Sequence, residues 1–160
     1  MSRLKELRAY VNTQLQSIQD PEKRQNAFIH LYGVSLAATL IAEKRRIKTE
    51  LPCLAAMLHD LHAYLSGSYD DHARLGAQLA RRILDELKLT TPEESDTICT
   101  AISRHDDKDH VDGPVDEVLK DADVMHHCFH DPAKAVKEKE KARYAALRKE
   151  FGFAPLADLA

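Results

Sequence analysis

The chain has no tryptophan, only five glycines in 160 residues, and no pair of cysteines at CxxC spacing. Its three cysteines, Cys53, Cys99 and Cys128, are scattered and odd in number. That pattern fits a reducing compartment with mostly buried thiols, not a disulfide scaffold. No run approaches the roughly 18 apolar residues that a membrane span needs. The start, Met1-Ser-Arg-Leu-Lys-Glu-Leu7, is charged and amphipathic and does not resemble a signal peptide. A cytoplasmic location is therefore expected. An excess of positive charge is also lacking: 23 Lys and Arg against 26 Asp and Glu give a net charge of -3 with histidine neutral, so no basic footprint argues for a nucleic-acid polymer as partner. No segment alternates polar and apolar residues over a useful length, and no sheet is expected. Repeats, low-complexity tracts and interdomain linkers are absent from the sequence.

What the chain does have is an ordinary supply of core residues and an excess of histidine. Hydrophobic residues make up 44% and charged residues 31%, which reads as globular and not disordered. The length favours a single domain over 1–160. Nine histidines stand out. One stretch stands out beside them, Leu54-Ala-Ala-Met-Leu-His-Asp-Leu61, an apolar helical run that ends in a His59–Asp60 doublet. Buried polar groups must be paired or must bind a metal. An imidazole beside a carboxylate is a good donor set for zinc, iron, manganese and similar ions.

Helical spacing and cap signals predict an all-α bundle of six to seven helices. Ser2 caps a first helix with Leu4, Leu7, Val11 and Leu15 on one face. Asp20-Pro21-Glu22 starts a second, through Phe28, Leu31, Val34 and Ala38 to Ile41, with His30 among apolar neighbours. Thr49-Glu-Leu-Pro52 opens the helix that delivers the doublet. After the break at Ser66-Gly67-Ser68, Tyr69-Asp70-Asp71 is expected to cap a fourth helix. That helix has His72 in its first turn and Leu75, Leu79, Ile83 and Leu87 as its buried stripe. Thr91-Pro92-Glu93-Glu94 is a capping-box signature for a fifth helix that reaches His105. Asp106 to Gly113 is a polar loop. Pro114 begins a sixth helix carrying Asp123. Asp131-Pro132 is expected to begin a last, mostly charged surface helix with a thin stripe of Val136, Tyr144 and Leu147. A tail from Phe151 to Ala160 follows and is expected to dock through Phe151, Phe153 and Leu156.

His30, His59, Asp60, His72, His105 and Asp123 each lie on or at the end of a predicted helix. Helix bundles build metal sites from inward side chains on facing helices. In this order the residues resemble the HD superfamily of metal-dependent phosphohydrolases, over about residues 20–130. His30 matches the first histidine, His59–Asp60 the doublet, and Asp123 the final aspartate within Lys120-Asp-Ala-Asp123. His72 before Gly76-Ala77, and His105 after Ala101-Ile102, resemble the extra histidines of members that hold two metals.

The resemblance implies that His30, His59, Asp60 and Asp123 hold one divalent ion, while His72 and His105 hold a second with Asp60 bridging. The identity (Mn, Fe, Ni, Co, Mg or Zn) is left open. Two ions about 3.5–4 Å apart clamp a phosphoryl group and activate a water. The implied activity is hydrolysis of a small phosphate ester or nucleotide, through a metal-activated hydroxide, with no membrane partner. Where cyclic-dinucleotide phosphodiesterases of the superfamily continue the doublet as His-Asp-hydrophobic-Gly-Lys, this chain has His59-Asp60-Leu61-His62-Ala63. The lysine that would protonate the leaving group is missing, and His62 or water takes its place. Arg104, beside His105, is the candidate for holding a substrate anion. The same ligand order occurs in diiron oxygenases of the superfamily, so oxygen chemistry remains an alternative, as does a metal- or nucleotide-binding module without turnover. His110, His126, His127 and His130 read most simply as solvated or hydrogen-bonded side chains.

Overall fold

The computed structural model describes residues 2–156 and is all-α. Eight α-helices follow in order: α1 (Arg3–Gln16), α2 (Pro21–Lys44), α3 (Glu50–Leu58), α4 (Leu61–Ser66), α5 (His72–Leu87), α6 (Pro92–Arg104), α7 (Pro114–His130) and α8 (Lys141–Glu150). A short 3-10 turn, Glu138–Glu140, precedes α8. No helix among the described residues is long and apolar enough to cross a membrane.

Three helix starts carry the expected side-chain caps. The Ser2 side chain accepts from Lys5 N–H, and Asp20 accepts from Glu22 and Lys23 N–H. Thr91 and Glu94 form the reciprocal box that satisfies two otherwise orphaned donors. Two starts differ from expectation. Asp71 stands before α5 in the left-handed region, at φ 51°, and makes no capping bond. Its carboxylate instead accepts from Arg74. The last helix begins at Lys141 and not near Pro132, because residues 131–137 stay irregular before the 3-10 turn.

The centre of the bundle is α3. Pro52 through Leu58 are all buried, as expected of a helix that is apolar on every side. It packs against α1, α2, α6 and α7. The faces turned toward it are Leu7, Val11 and Leu15 of α1, Leu31, Val34 and Ala38 of α2, Ile98 and Ile102 of α6, and Val118 and Ala122 of α7. The run ends at the doublet, as expected: α3 closes at Leu58 with His59 as its cap. Asp60 has φ -109° and ψ 6°, off helical geometry, and α4 restarts at Leu61.

The buried stripe of α5 is rotated from the expected one. Gly76, Ala80, Ile83 and Leu84 are buried, while Leu75, Leu79 and Leu87 are half-buried. The cause is close approach: a Cβ on Gly76 would stand 2.8 Å from the His59 carbonyl oxygen. The two smallest residues of α5 therefore turn inward, and the helix carrying His72 comes within reach of the doublet. In the C-terminal region Tyr144 and Leu147 are buried and Phe151 is half-buried. Phe153 packs its ring on Phe129 and Phe151 but stays substantially exposed, as does Leu156. Residues 157–160 of the expected tail lie outside the described residues.

Candidate metal centre

The interruption at Asp60 has a direct effect on side chains. Consecutive residues of a regular helix diverge by about 100°, yet His59 Nε2 and Asp60 Oδ2 lie 3.5 Å apart. Around them the bundle brings together all six residues expected from the sequence. His30 from α2 places Nε2 3.1 Å from His59 Nε2, 3.3 Å from Asp60 Oδ2 and 3.5 Å from Asp123 Oδ1. On the other side, Asp60 Oδ1 lies 3.3 Å from His105 Nε2 and 3.6 Å from His72 Nε2. The two oxygens of Asp60 thus face two different sets of nitrogens.

These spacings suit a cation. Donors bonded at about 2.1 Å to one ion lie roughly 3–3.5 Å from each other. Two carboxylate oxygens, Asp60 Oδ1 and Asp123 Oδ1, are buried with no hydrogen-bond partner among the described residues. An orphaned buried carboxylate oxygen is costly, and a metal ion at either position removes that cost. The residues present therefore fit a divalent-metal site.

The imidazoles are aimed by the backbone. The Nδ1–H groups of His59, His72 and His105 donate to the carbonyl oxygens of Ala56, Tyr69 and Ile102 at 2.8, 2.9 and 2.7 Å. Carbonyls only accept, so Nδ1 carries the proton, and Nε2 of the neutral ring keeps its lone pair toward the cluster. Each of these contacts spans three residues, so the turn that presents the histidine also orients it.

Asp123 is oriented differently. Lys108, buried although it belongs to the polar loop, donates from Nζ to Asp123 Oδ2 and to the His105 carbonyl, both at 2.7 Å. With Oδ2 occupied, only Oδ1 is left for the cluster. Burial works to raise the Asp123 carboxyl, but the charge of Lys108 outweighs it and holds that group well below the usual carboxylate range. Burial pushes His30 down. It pushes His126 further, to about 3. The His126 ring sits in a notch at Gly33, where a Cβ would come within 2.0 Å of its Cδ2. That close approach lets His126 Nδ1 reach within 3.2 Å of His30 Nδ1.

The cluster forms the floor of an open pocket of about 570 Å³. Tyr64 and Tyr69 wall one part of it, and His127, Lys137 and Lys139 another. His62 and Arg104 do not line it. His62 stands on α4, two residues past Asp60, with its Nδ1 buried and without a hydrogen-bond partner among the described residues. The Arg104 guanidinium lies 3.4 Å from Asp116 and 3.5 Å from Asp112, toward acids of α7 and the polar loop. The expected roles for these two residues do not match where the fold puts them. Lys108, Lys137 and Lys139 also stand at or beside the cluster, and His127, expected as a solvated or hydrogen-bonded side chain, lines the pocket. Only His127 carried a local signal, its spacing of four residues from Asp123 on one helix face.

The chain is similar to known proteins at two levels. The HD domain family matches residues 27–128, a span containing all six residues of the cluster. A crystal structure described as a predicted HD superfamily hydrolase from an uncultured Thermotogales bacterium has a similar fold. The TM-score is 0.62 and the identity 20%, over 94% of this chain and 90% of that one. At that identity the likeness concerns the fold alone. No curated protein matches the chain.

Proposed function

We propose, since this chain belongs to the HD domain family, that it is a metal-dependent phosphohydrolase acting on a small phosphate ester or nucleotide. In this reading His30, His59, Asp60 and Asp123 hold one divalent cation, and His72 and His105 hold a second that shares Asp60. The observation that carries it is Asp60 itself. One of its oxygens faces His30 and His59, and the other faces His72 and His105 with no hydrogen-bond partner of its own.

Divalent ions at such a site supply Lewis-acid stabilisation of phosphoryl charge and a water acidic enough to ionise near neutral pH. The chain supplies the rest. The Ala56, Tyr69 and Ile102 carbonyls keep three imidazoles turned inward. Lys108 fixes the Asp123 carboxylate, so the donors need no rearrangement as a substrate arrives. Lys137 and Lys139 line the pocket beside Asp71 and Asp106, with Lys139 Nζ 2.7 Å from Asp106, so the positive charge that would receive an anionic ligand comes chiefly from the cations. Tyr64 and Tyr69, edge to face at 6.3 Å, wall the space beside the floor and suit the organic part of an ester. With His62 and Arg104 outside the pocket, the proton for the leaving group is assigned to water.

The test is phosphate release from a panel of phosphomonoesters, nucleotides and a generic aryl phosphate, with Mn, Mg, Co, Ni, Fe and Zn supplied separately. Metal-dependent release that disappears in His59→Ala supports the reading. Oxygen uptake without phosphate release, or no turnover with any metal and substrate, overturns it.

A further inference from the structure

One turn beyond Asp123, α7 presents a second inward histidine that the six-residue pattern does not include. His127 stacks on His30 with ring centroids 5.2 Å apart and planes 21° from parallel. Its Nε2 lies 3.4 Å from Asp123 Oδ1. Three imidazole nitrogens therefore surround that one oxygen, with His30 at 3.5 Å and His59 at 3.7 Å. His30, Asp123 and His127 form a donor group with all ligand atoms within 4.8 Å of one another.

The far side of the His127 ring is committed. Its Nδ1 lies 2.8 Å from Glu140 Oε1. A carboxylate accepts, so Nδ1–H donates, and Nε2 of the neutral ring is left with a lone pair facing Asp123. Glu140 is only 1% exposed although it stands in a segment crowded with lysines. Burying a carboxylate is expensive unless it is paired, and its short contact is spent on His127 while Lys137 Nζ stays 3.9 Å away. A carboxylate that orients an imidazole whose other nitrogen faces a metal is the usual outer support of a ligating histidine. This support comes from the 3-10 turn, beyond the span matched by the family.

Resting on the reading above, we propose that His127, aimed by Glu140, is an additional protein donor to the ion held by His30, His59, Asp60 and Asp123. That ion then has three imidazoles and two carboxylates. Such a set selects a borderline transition cation over magnesium, which prefers oxygen donors and keeps its water. It also leaves fewer positions for water on this ion than on the one beside His72 and His105.

The experiment is Co(II) titration of metal-free full-length protein, with affinity read by chelator competition and coordination read from the visible absorption band. Wild type is compared with His127→Ala, His127→Gln, Glu140→Gln and His30→Ala, each checked for helix content. The expected result is a weakening of the tighter site of about 10–100-fold in the His127 variants and in Glu140→Gln, with a changed band. Two ions still bind at saturation. The conservative His127→Gln and Glu140→Gln keep the packing and carry the test if His127→Ala does not fold. Wild-type affinity and band in both, while His30→Ala loses the tighter site, would overturn the role of His127 and leave the metal reading standing. Wild-type affinity in His30→Ala as well would bring down both.

Discussion

Helix α7 passes through two buried polar clusters, and they are built on opposite principles. Around Lys120 and Asp121 every charge is answered. Lys120, fully buried, donates to Asp112 and to the His110 carbonyl. Arg143 of α8 bridges Glu117 and Asp121 and also caps the carbonyls of Lys108 and His110. Arg45 ties Asp121 to Glu150. One turn further, around Asp123, nitrogens with free lone pairs face oxygens with no hydrogen-bond partner. A saturated network has nothing left to bind and serves to hold chain segments together. An unsaturated one is costly to keep unless a ligand completes it. The first cluster also serves the second: Arg143 and Lys120 pin the polar loop from which Lys108 reaches Asp123.

Mutating the hub of each cluster should break this contrast in different ways. The largest effect on function is expected at Asp60. Asp60→Ala should lose both ions and cut hydrolysis by well over 100-fold, because even outer partners of ligands are worth about 10–100-fold. His72→Ala should lose one ion and less activity. Helix content should barely change in either. Metal stoichiometry and rate measured side by side check this, and two ions retained by Asp60→Ala would remove the distinction between the clusters.

The next effect is on stability. Lys120→Met leaves the Asp112 carboxylate and the His110 carbonyl without the buried ammonium that answers both, and the Tm should fall. The same variant should still bind two Mn(II) per chain at saturating metal. Calorimetry and elemental analysis decide. A variant with unchanged Tm would show that the saturated network does not hold the fold.

Acid should separate the clusters without mutation. The hydrogen bond from Lys120 holds Asp112 low, and although burial raises Glu117, Arg143 outweighs it and holds it low too. Carboxyls depressed in the folded state contribute stability above their unfolded values, about 4, and lose it as pH falls through the folded ones. Metal release begins higher, as protons compete for imidazoles ordinarily titrating near about 6.5. Between about pH 4 and 6 the chain should be depleted of metal but still helical. Retained metal and circular dichroism followed together from pH 8 to 3 test this. Simultaneous loss of both would mean that the ions, not the ion pairs, hold the fold.

The smallest effects are expected at the two residues that the fold leaves outside the pocket. Arg104→Ala and His62→Ala should change hydrolysis little, since neither side chain lines the pocket. A large loss of turnover in either, with metal content intact, would return that residue to the reaction.

Much of this arrangement was legible in the sequence, because its signals were local. The caps at Ser2, Asp20 and Thr91, and the periodic Leu7, Val11, Leu15 and Ile98, Ile102, each reflect one turn of helix meeting water on one side and core on the other. The six-residue cluster was legible by its order along the chain. What escaped depends on contacts between distant segments. Lys108 reads as one more polar loop residue until the loop folds back on α7. Glu140 reads as surface until the 3-10 turn buries it. Arg104 beside His105 looked poised for an anion, but the acids on α7 that claim it lie further along the chain. The rotation of α5 followed from the space available at the His59 carbonyl, which no periodicity encodes.

The notch at Gly33 sets a timing as well as a fit. His30 and the His126 ring lodged beside it stand 96 positions apart in the chain, and the remaining donors come from the segments between. No early portion of the chain holds more than a fragment of the binding set. A cation therefore meets its full complement only once α7 has docked on α2. It cannot guide the search for the native state. It can only act as a latch on a nearly finished one, slowing unfolding while leaving the rate of folding where it was.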